Sequence, residues 1–413
     1  MPKKAASKEK ASREAPLAAG MSLDERRARI KKLLAASEKA YGAGCVQVAS
    51  QTNMSYLLRR PTGIMSLDLA LAGGFPASAP SVIVGPDGAG KDYLLWRTAA
   101  ETQRIYGDDF CMAVYFTEFR PDKRYMKDFC GLQIAFSEEE LLELDQARHS
   151  KKLRGLTADE LDHYRRQIGE FIAVVGISAD QGFDQLFEFL DANICQIVAV
   201  NSIGFLQTEA KESVDSFEEF AQRSSEATLL SKALPKFAMY LNRGSNETSL
   251  LLLNQVRSND TPKRTMPGRP SLDRDQYKTA ANAWALKHGK AIELMIHNGP
   301  KIYDKDTESY LGRKKQWELT KGKLGTHEGI KGEFNYYYGE GADIAGDLVA
   351  TAVQLGVIEM SGTWLTYPDK KFGFKCQGEP KAVALLNKPD HGELVNALRD
   401  ACFQAADVTF RDK

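Results

Sequence analysis

Little in this sequence marks it for a membrane, a secreted scaffold or a metal centre. No apolar run within the 413 residues approaches the ~20 needed to span a bilayer. The N-terminus lacks the apolar stretch of a secretory signal, so an intracellular, cytoplasmic protein with no membrane partner is expected. Cysteines are few and scattered: Cys45, Cys111, Cys130, Cys195, Cys376 and Cys402 form no C-x-x-C and no grouping with histidine. That leaves no zinc-binding spacing and predicts buried, reduced thiols. Net charge is also missing, because 55 Lys+Arg balance 55 Asp+Glu. A chain coated with basic surface is thereby excluded, while a local basic groove is not.

What is present is length and alternation. A chain this long suits a large core with smaller appendages. Residues 1–21 are rich in Lys, Ala, Ser and Glu and read as a disordered tail. From Ser22 to Tyr41, Ile30, Leu33, Leu34 and Ala40 recur at helical spacing, and Ser22 with Glu25 forms a capping-box pattern. This helix should stop at Gly42 or Gly44, within an arm spanning residues 22–60. Apolar strands then alternate with helical stretches: Ser81–Gly85, Cys111–Phe116, Ile194–Val200 and Leu250–Asn254, then Ala291–Ile296 and Gln316–Leu319. Such alternation predicts an α/β core over 61–335 with a mostly parallel sheet covered on both faces. Residues 137–171 read as a charged helical insertion, structural or partner-binding. Residues 258–281 read as a long polar loop. A small α/β lobe is expected over 336–413, with a helix at Ile344–Gln354 and a strand at Trp364–Tyr367.

The sharpest motif follows the first of these strands. Gly85-Pro86-Asp87-Gly88-Ala89-Gly90-Lys91 fits G-x-x-x-x-G-K, with a helical run over Leu94–Arg104 behind it. Glycines let backbone N–H groups turn toward phosphate oxygens, the helix adds its positive end, and the lysine bridges the outer phosphates. Asp92, followed by Tyr93, stands where a metal-binding Ser or Thr is expected. At the end of Ile197–Val200, where an Asp is expected, the chain has Asn201-Ser202. Asp92 has two readings: a relocated ligand for Mg²⁺, or an acid placed to suit a helix N-terminus.

Several further segments, in order, resemble the RecA family of DNA recombinases, in a divergent bacterial or bacteriophage form. Thr62–Gly74 resembles the lead into that family's ATPase core, and Phe116-Thr117-Glu118 with Asp122 and Tyr125 resembles its water-activating Glu and adenine-holding pair. Leu253–Arg257 resembles the strand end whose Gln, here Gln255, senses the γ-phosphate and leads into a DNA-binding loop. Asn282-Ala283 sits where that loop returns. Lys321-Gly322-Lys323 resembles the paired lysines that reach a neighbouring protomer's nucleotide, and Tyr338–Gly341 resembles the start of the C-terminal domain. The resemblance covers roughly Ser22 to Ala401.

The resemblance implies a RecA-like P-loop NTPase core, an N-terminal helical polymerisation arm and a small C-terminal α/β lobe. It implies ATP and Mg²⁺ as cofactors and a homo-oligomeric filament on single-stranded DNA that tests homologous duplex DNA, in a bacterial cell or phage-infected host. Lys91 and Glu118 would act on the nucleotide. Arg257, Lys263, Arg264, Arg269 and Asn282 would contact DNA. Two rivals remain beside a DNA-dependent ATPase: a non-hydrolysing filament or regulator, and a ring-forming helicase, which the paired lysines and the lobe disfavour.

Overall fold

The computed structural model describes residues 21–42, 46, 48, 58–120, 122–209, 225–243, 246–258, 277–279 and 284–410. It divides into two units, residues 1–53 and 54–413.

The first unit is represented by α1 (Leu23–Tyr41). Its start carries the anticipated capping box, with Glu25 N donating to Ser22 Oγ at 3.3 Å and Ser22 N to Glu25 Oε2 at 2.9 Å; Gly42 ends it. None of its residues is buried, and Ile30 and Leu33 are exposed.

In the second unit, ten strands form one sheet. Its parallel part runs β3 (Pro80–Gly85), β7 (Ser249–Ser258), β6 (Ile197–Asn201), β4 (Cys111–Phe116) and β5 (Glu170–Val174). On the other side β3 pairs in parallel with β9 (Ile292–Asp304). Antiparallel β10 (Ser309–Lys321), β11 (Lys331–Tyr337) and β12 (Gly341–Ala342) complete that edge. A strand's side chains alternate between faces, and both faces here are apolar. Ile83, Met112, Val114, Ile197, Ala199, Leu251 and Leu253 pack on one side, over α3 (Lys91–Tyr106). Val82, Val84, Ala113, Tyr115, Val198, Val200, Leu250 and Leu252 pack on the other. There they meet α6 (Ala179–Ala192) and α7 (Ser225–Leu241). The α/β class read from strand and helix alternation is what the structure shows.

The structure corrects several boundaries. Arg59-Arg60, assigned to the arm, form β1 and pair with β2 (Phe75-Pro76) in the main body. The charged insertion is α4 (Glu138–Ser150) and α5 (Ala158–Arg165), each with a capping box, but Glu170 and Phe171 belong to β5. The polar loop is shorter than expected, because β7 continues to Ser258 and β8 (Tyr277–Thr279) pairs back onto it. Gly341-Ala342 pair with β11, so the main sheet ends after the predicted start of the lobe.

The lobe has its own core. It is built from α9 (Ile344–Gln354), α10 (Glu379–Leu386), α11 (Gly392–Ala405) and a three-stranded sheet, the short helix α8 (Trp284–Gly289) lying earlier in the chain. Buried polar contacts tie it down. Asp347 accepts from Ser66 N at 2.9 Å, and Arg399 pairs with Glu101 at 3.1 Å. Burial alone would raise the Glu101 carboxyl, but Arg399, Arg97 and Arg104 outweigh it and hold the group well below the usual carboxylate range. Cys130, Cys195 and Cys402 are buried, while Cys111 and Cys376 are partly so. One pair of thiols meets where β4 begins and the chain enters β6: Cys111 and Cys195 lie Sγ to Sγ 3.4 Å apart. Among the described residues no helix is long and apolar enough to cross a membrane.

Candidate functional site

In open α/β sheets ligands bind beyond the carboxyl ends of the parallel strands. The phosphate-loop residues lie there, between β3 and α3. Gly88 and Gly90 hold φ of +66° and +108°, a conformation that turns successive backbone N–H groups to one side and suits glycine. A side chain at Gly85 would strike the Ile296 carbonyl oxygen at 2.5 Å, so the loop also needs glycine for closeness. Lys91 is buried, and its Nζ donates to the carbonyls of Gly85 and Pro86, both at 3.0 Å. Burial lowers its pKa, while Asp92, Asp87 and Glu118 oppose that shift.

Strand registers bring the other candidates to this loop. Gly85 lies opposite Gln255, and Phe116 opposite Asn201. Glu118, just past β4, accepts from Ser202 Oγ and, at 3.2 Å, from Gln255 Nε2. Thr117 Oγ1 bridges to Ser202, receiving its N–H at 2.8 Å and donating to its carbonyl at 2.6 Å. Asn201 Nδ2 donates to Asp92 Oδ1 at 2.6 Å. The two positions that depart from the usual P-loop pattern are thus bonded to each other.

Tyr125 lies half-buried in a short π-helical turn, Tyr125–Phe129, its ring 5.7 Å from Phe129. Burial, then Cys130 and Tyr336, push its phenol far up, and Asp92 is close enough to add to the shift. Asp122 accepts from Arg124 N at 2.8 Å. The side chain of Tyr93, the position after Asp92 in the motif, turns into the core. Its ring is buried edge-on to Tyr336 at 5.0 Å, and its hydroxyl accepts from Ala342 N at 2.7 Å. Only its backbone amide remains for phosphate.

Lys321 and Lys323 alternate, a spacing that on a strand turns both to one side. Strand β10 stops at Lys321, and exposed Lys323 follows in the turn, where a Cβ on Gly322 would meet the His327 carbonyl carbon at 2.8 Å. The two ammonium groups still feel each other: burial lowers the Lys321 pKa, and Lys323 lowers it further. Lys321 Nζ donates to the Lys287 carbonyl at 2.7 Å. Lys290, brought down to about 8 by burial and by Lys321 and Lys287, joins this basic cluster. Lys263, Arg264, Arg269 and Asn282 lie outside the described residues, as does the Arg257 side chain.

Sequence reasoning missed Lys315. Its Nζ donates to the Gly88 carbonyl and to Asn298 Oδ1, each at 2.8 Å, and burial with Arg313 lowers it to about 8. The signal was available: Lys315, Trp317 and Leu319 alternate along β10 and are all buried, which puts a lysine on an apolar face. Lys315→Met is expected to weaken nucleotide affinity roughly fivefold, as about 1 kcal/mol for one hydrogen bond implies. Titration with a fluorescent ATP analogue checks this, and an unchanged affinity removes the supporting role.

The chain is similar along most of its length to proteins of one name. Protein RecA of Paracoccus denitrificans is 26% identical over 381 residues, covering 92% of this chain and 90% of that protein. Protein RecA of Bacteroides thetaiotaomicron is 25% identical over 369 residues, 89% of this chain and 94% of that one. Protein RecA of Ruminococcus albus is 24% identical over 373 residues, 89% and 78% respectively. No family model matches the chain. The crystal structure of the RadB recombinase aligns with a TM-score of 0.40 at 17% identity, over 68% of this chain and 98% of that one, too loose to bear weight.

Proposed function

The chain is a divergent member of the RecA family of recombinases, and from that premise we propose that it forms ATP-dependent filaments on single-stranded DNA and promotes exchange with a homologous duplex. The observation that carries this reading is the meeting of sequence-distant groups at one end of the parallel sheet: the phosphate loop, Glu118, Asn201, Gln255 and Lys315.

Lys91 and the loop amides bind the triphosphate, and the N-terminal end of α3 adds its partial positive charge. Bound Mg²⁺ supplies neutralisation of phosphate charge, and Asp92 and Asn201 are the side chains that would hold it, being hard oxygen donors. Glu118 is held at Oε1 by Ser202 and Gln255. Its second oxygen takes the proton of the attacking water. Asp122 and Tyr125 hold the adenine. Lys321 and Lys323 meet the nucleotide of a neighbouring protomer, so that nucleotide binding and assembly share one coupling free energy. The exposed apolar stripe of α1 suits docking on another copy of the chain.

DNA contact belongs to the basic loop after β7. Replacing Lys263, Arg264 and Arg269 by Ala should weaken single-stranded DNA binding and flatten its salt dependence, by about one log–log unit per lost phosphate contact. Anisotropy titrations of a labelled oligonucleotide with ATP and Mg²⁺ check this, and an identical salt slope would mean the loop does not touch DNA. A second reading, a non-hydrolysing filament or regulator in which nucleotide is structural, is favoured by one feature, the altered Asp92–Asn201 pair.

A further inference from the structure

P-loop NTPases ordinarily divide metal binding between a hydroxyl at the start of the loop's helix and a carboxylate ending a neighbouring strand. Here the helix carries Asp92 and the strand Asn201, joined by a 2.6 Å hydrogen bond. We infer that the metal-binding carboxylate has moved from strand to helix, and that nucleotide binding by this chain is therefore conditional on a divalent cation. The inference rests on reading the site as one for a nucleoside triphosphate.

The hydrogen bond orients both groups. An ionised carboxylate only accepts, and an amide donates only through its nitrogen. With the Asn201 nitrogen committed to Asp92, the amide presents its oxygen on the other branch. The pair thus offers a carboxylate oxygen and an amide oxygen, both of the hard type that Mg²⁺ takes. Simple capping does not account for this arrangement. The N-cap of α3 is Gly90, with no side-chain cap bond, and the partner of Asp92 is the strand rather than its own helix. An acid placed only for the helix dipole would need no amide facing it.

Electrostatics then make the site different from the ordinary one. A hydroxyl beside the phosphate lysine is neutral and tolerates a metal-free triphosphate. Asp92 is exposed and directly follows Lys91 in the chain, so its negative charge lies near the phosphate-binding ammonium. Without a cation, that charge repels the triphosphate; with one, both anions share it. Restoring the strand carboxylate alone would put two carboxylates where one hydrogen bond now runs, an arrangement that resists double ionisation. The two positions must therefore be non-additive.

The test is calorimetric titration of a non-hydrolysable ATP analogue into the full chain, with Mg²⁺ and with EDTA. Parent, Asp92→Thr, Asn201→Asp and the double variant are compared, each checked by thermal melt. The parent should bind at least tenfold tighter with Mg²⁺ than with EDTA. Asp92→Thr should bind the Mg²⁺ complex about tenfold more weakly, the scale of a lost or loosened metal contact, and should lose most of the Mg²⁺ preference. Asn201→Asp should also weaken binding, and the double variant should return to within about threefold of the parent. Asp92→Thr binding the Mg²⁺ complex as tightly as the parent, or a parent indifferent to EDTA, overturns the inference while leaving the nucleotide site standing. A double variant as weak as the summed single effects overturns the exchange. If Asn201→Asp does not fold, the Asp92→Thr comparison decides alone. No binding by the parent in either condition removes the nucleotide-site reading itself.

Discussion

Replacing Lys91 by alanine is expected to abolish nucleotide-dependent DNA binding and leave the fold intact. The Lys91 ammonium sits beneath the loop, bonded to the Gly85 and Pro86 carbonyls, and it is the cation of the motif that would meet the outer phosphates. Charged hydrogen bonds contribute about 1.5–3 kcal/mol each, so losing the pair that the ammonium would make to phosphate oxygens should cost nucleotide affinity roughly a hundredfold or more. A thermal melt of the variant separates loss of nucleotide binding from loss of fold. Nucleotide titration of the purified variant reads the effect, and parental affinity would remove the phosphate-site assignment.

The second large effect should come from Lys321→Ala with Lys323→Ala. Nucleotide binding by isolated subunits should stay nearly parental, while ATP-stimulated assembly is lost. Lys287, Lys290, Lys321 and Lys323 crowd one region, and the lowered Lys290 and Lys321 pKa values arise first from burial and then from neighbouring ammonium groups. Glu293 pairs with Lys290, and Glu328 acts on Lys321. A partly desolvated cationic cluster is best relieved by a polyanion, and a triphosphate presented by an adjoining subunit is one. Normal filaments of the double variant in electron micrographs would refute the cross-subunit role.

The sequence made the core legible where periodicity was strong. Strands β3, β4, β6 and β7, helix α9 and the Trp364–Tyr367 strand fall where their apolar patterns put them. Strand β5 was hidden because its outer residues are half-exposed at the sheet edge, so no continuous apolar run marks it. The arm boundary misled because Arg59 and Arg60 are arginines buried in the main body, which composition reads as surface. For the site, the phosphate loop and Glu118 could be picked out from local motifs. The bonds from Gln255 and Ser202 to Glu118, and from Asn201 to Asp92, arise from pairing of strands far apart in sequence. The place of Tyr93 in the motif says nothing about where its ring points, and the ring packs on Tyr336. Strand β10 ends at Lys321, so Lys323 lies beyond it, which alternation alone does not show.

If the site turns over ATP in response to DNA, steady-state ATP hydrolysis by the full chain with Mg²⁺ should rise at least tenfold when single-stranded DNA is added. The rate should collapse in Glu118→Gln, which removes the general base. A low rate, unchanged by DNA and by Glu118→Gln in a protein that still binds nucleotide, would contradict that turnover and leave nucleotide as a structural element of the filament.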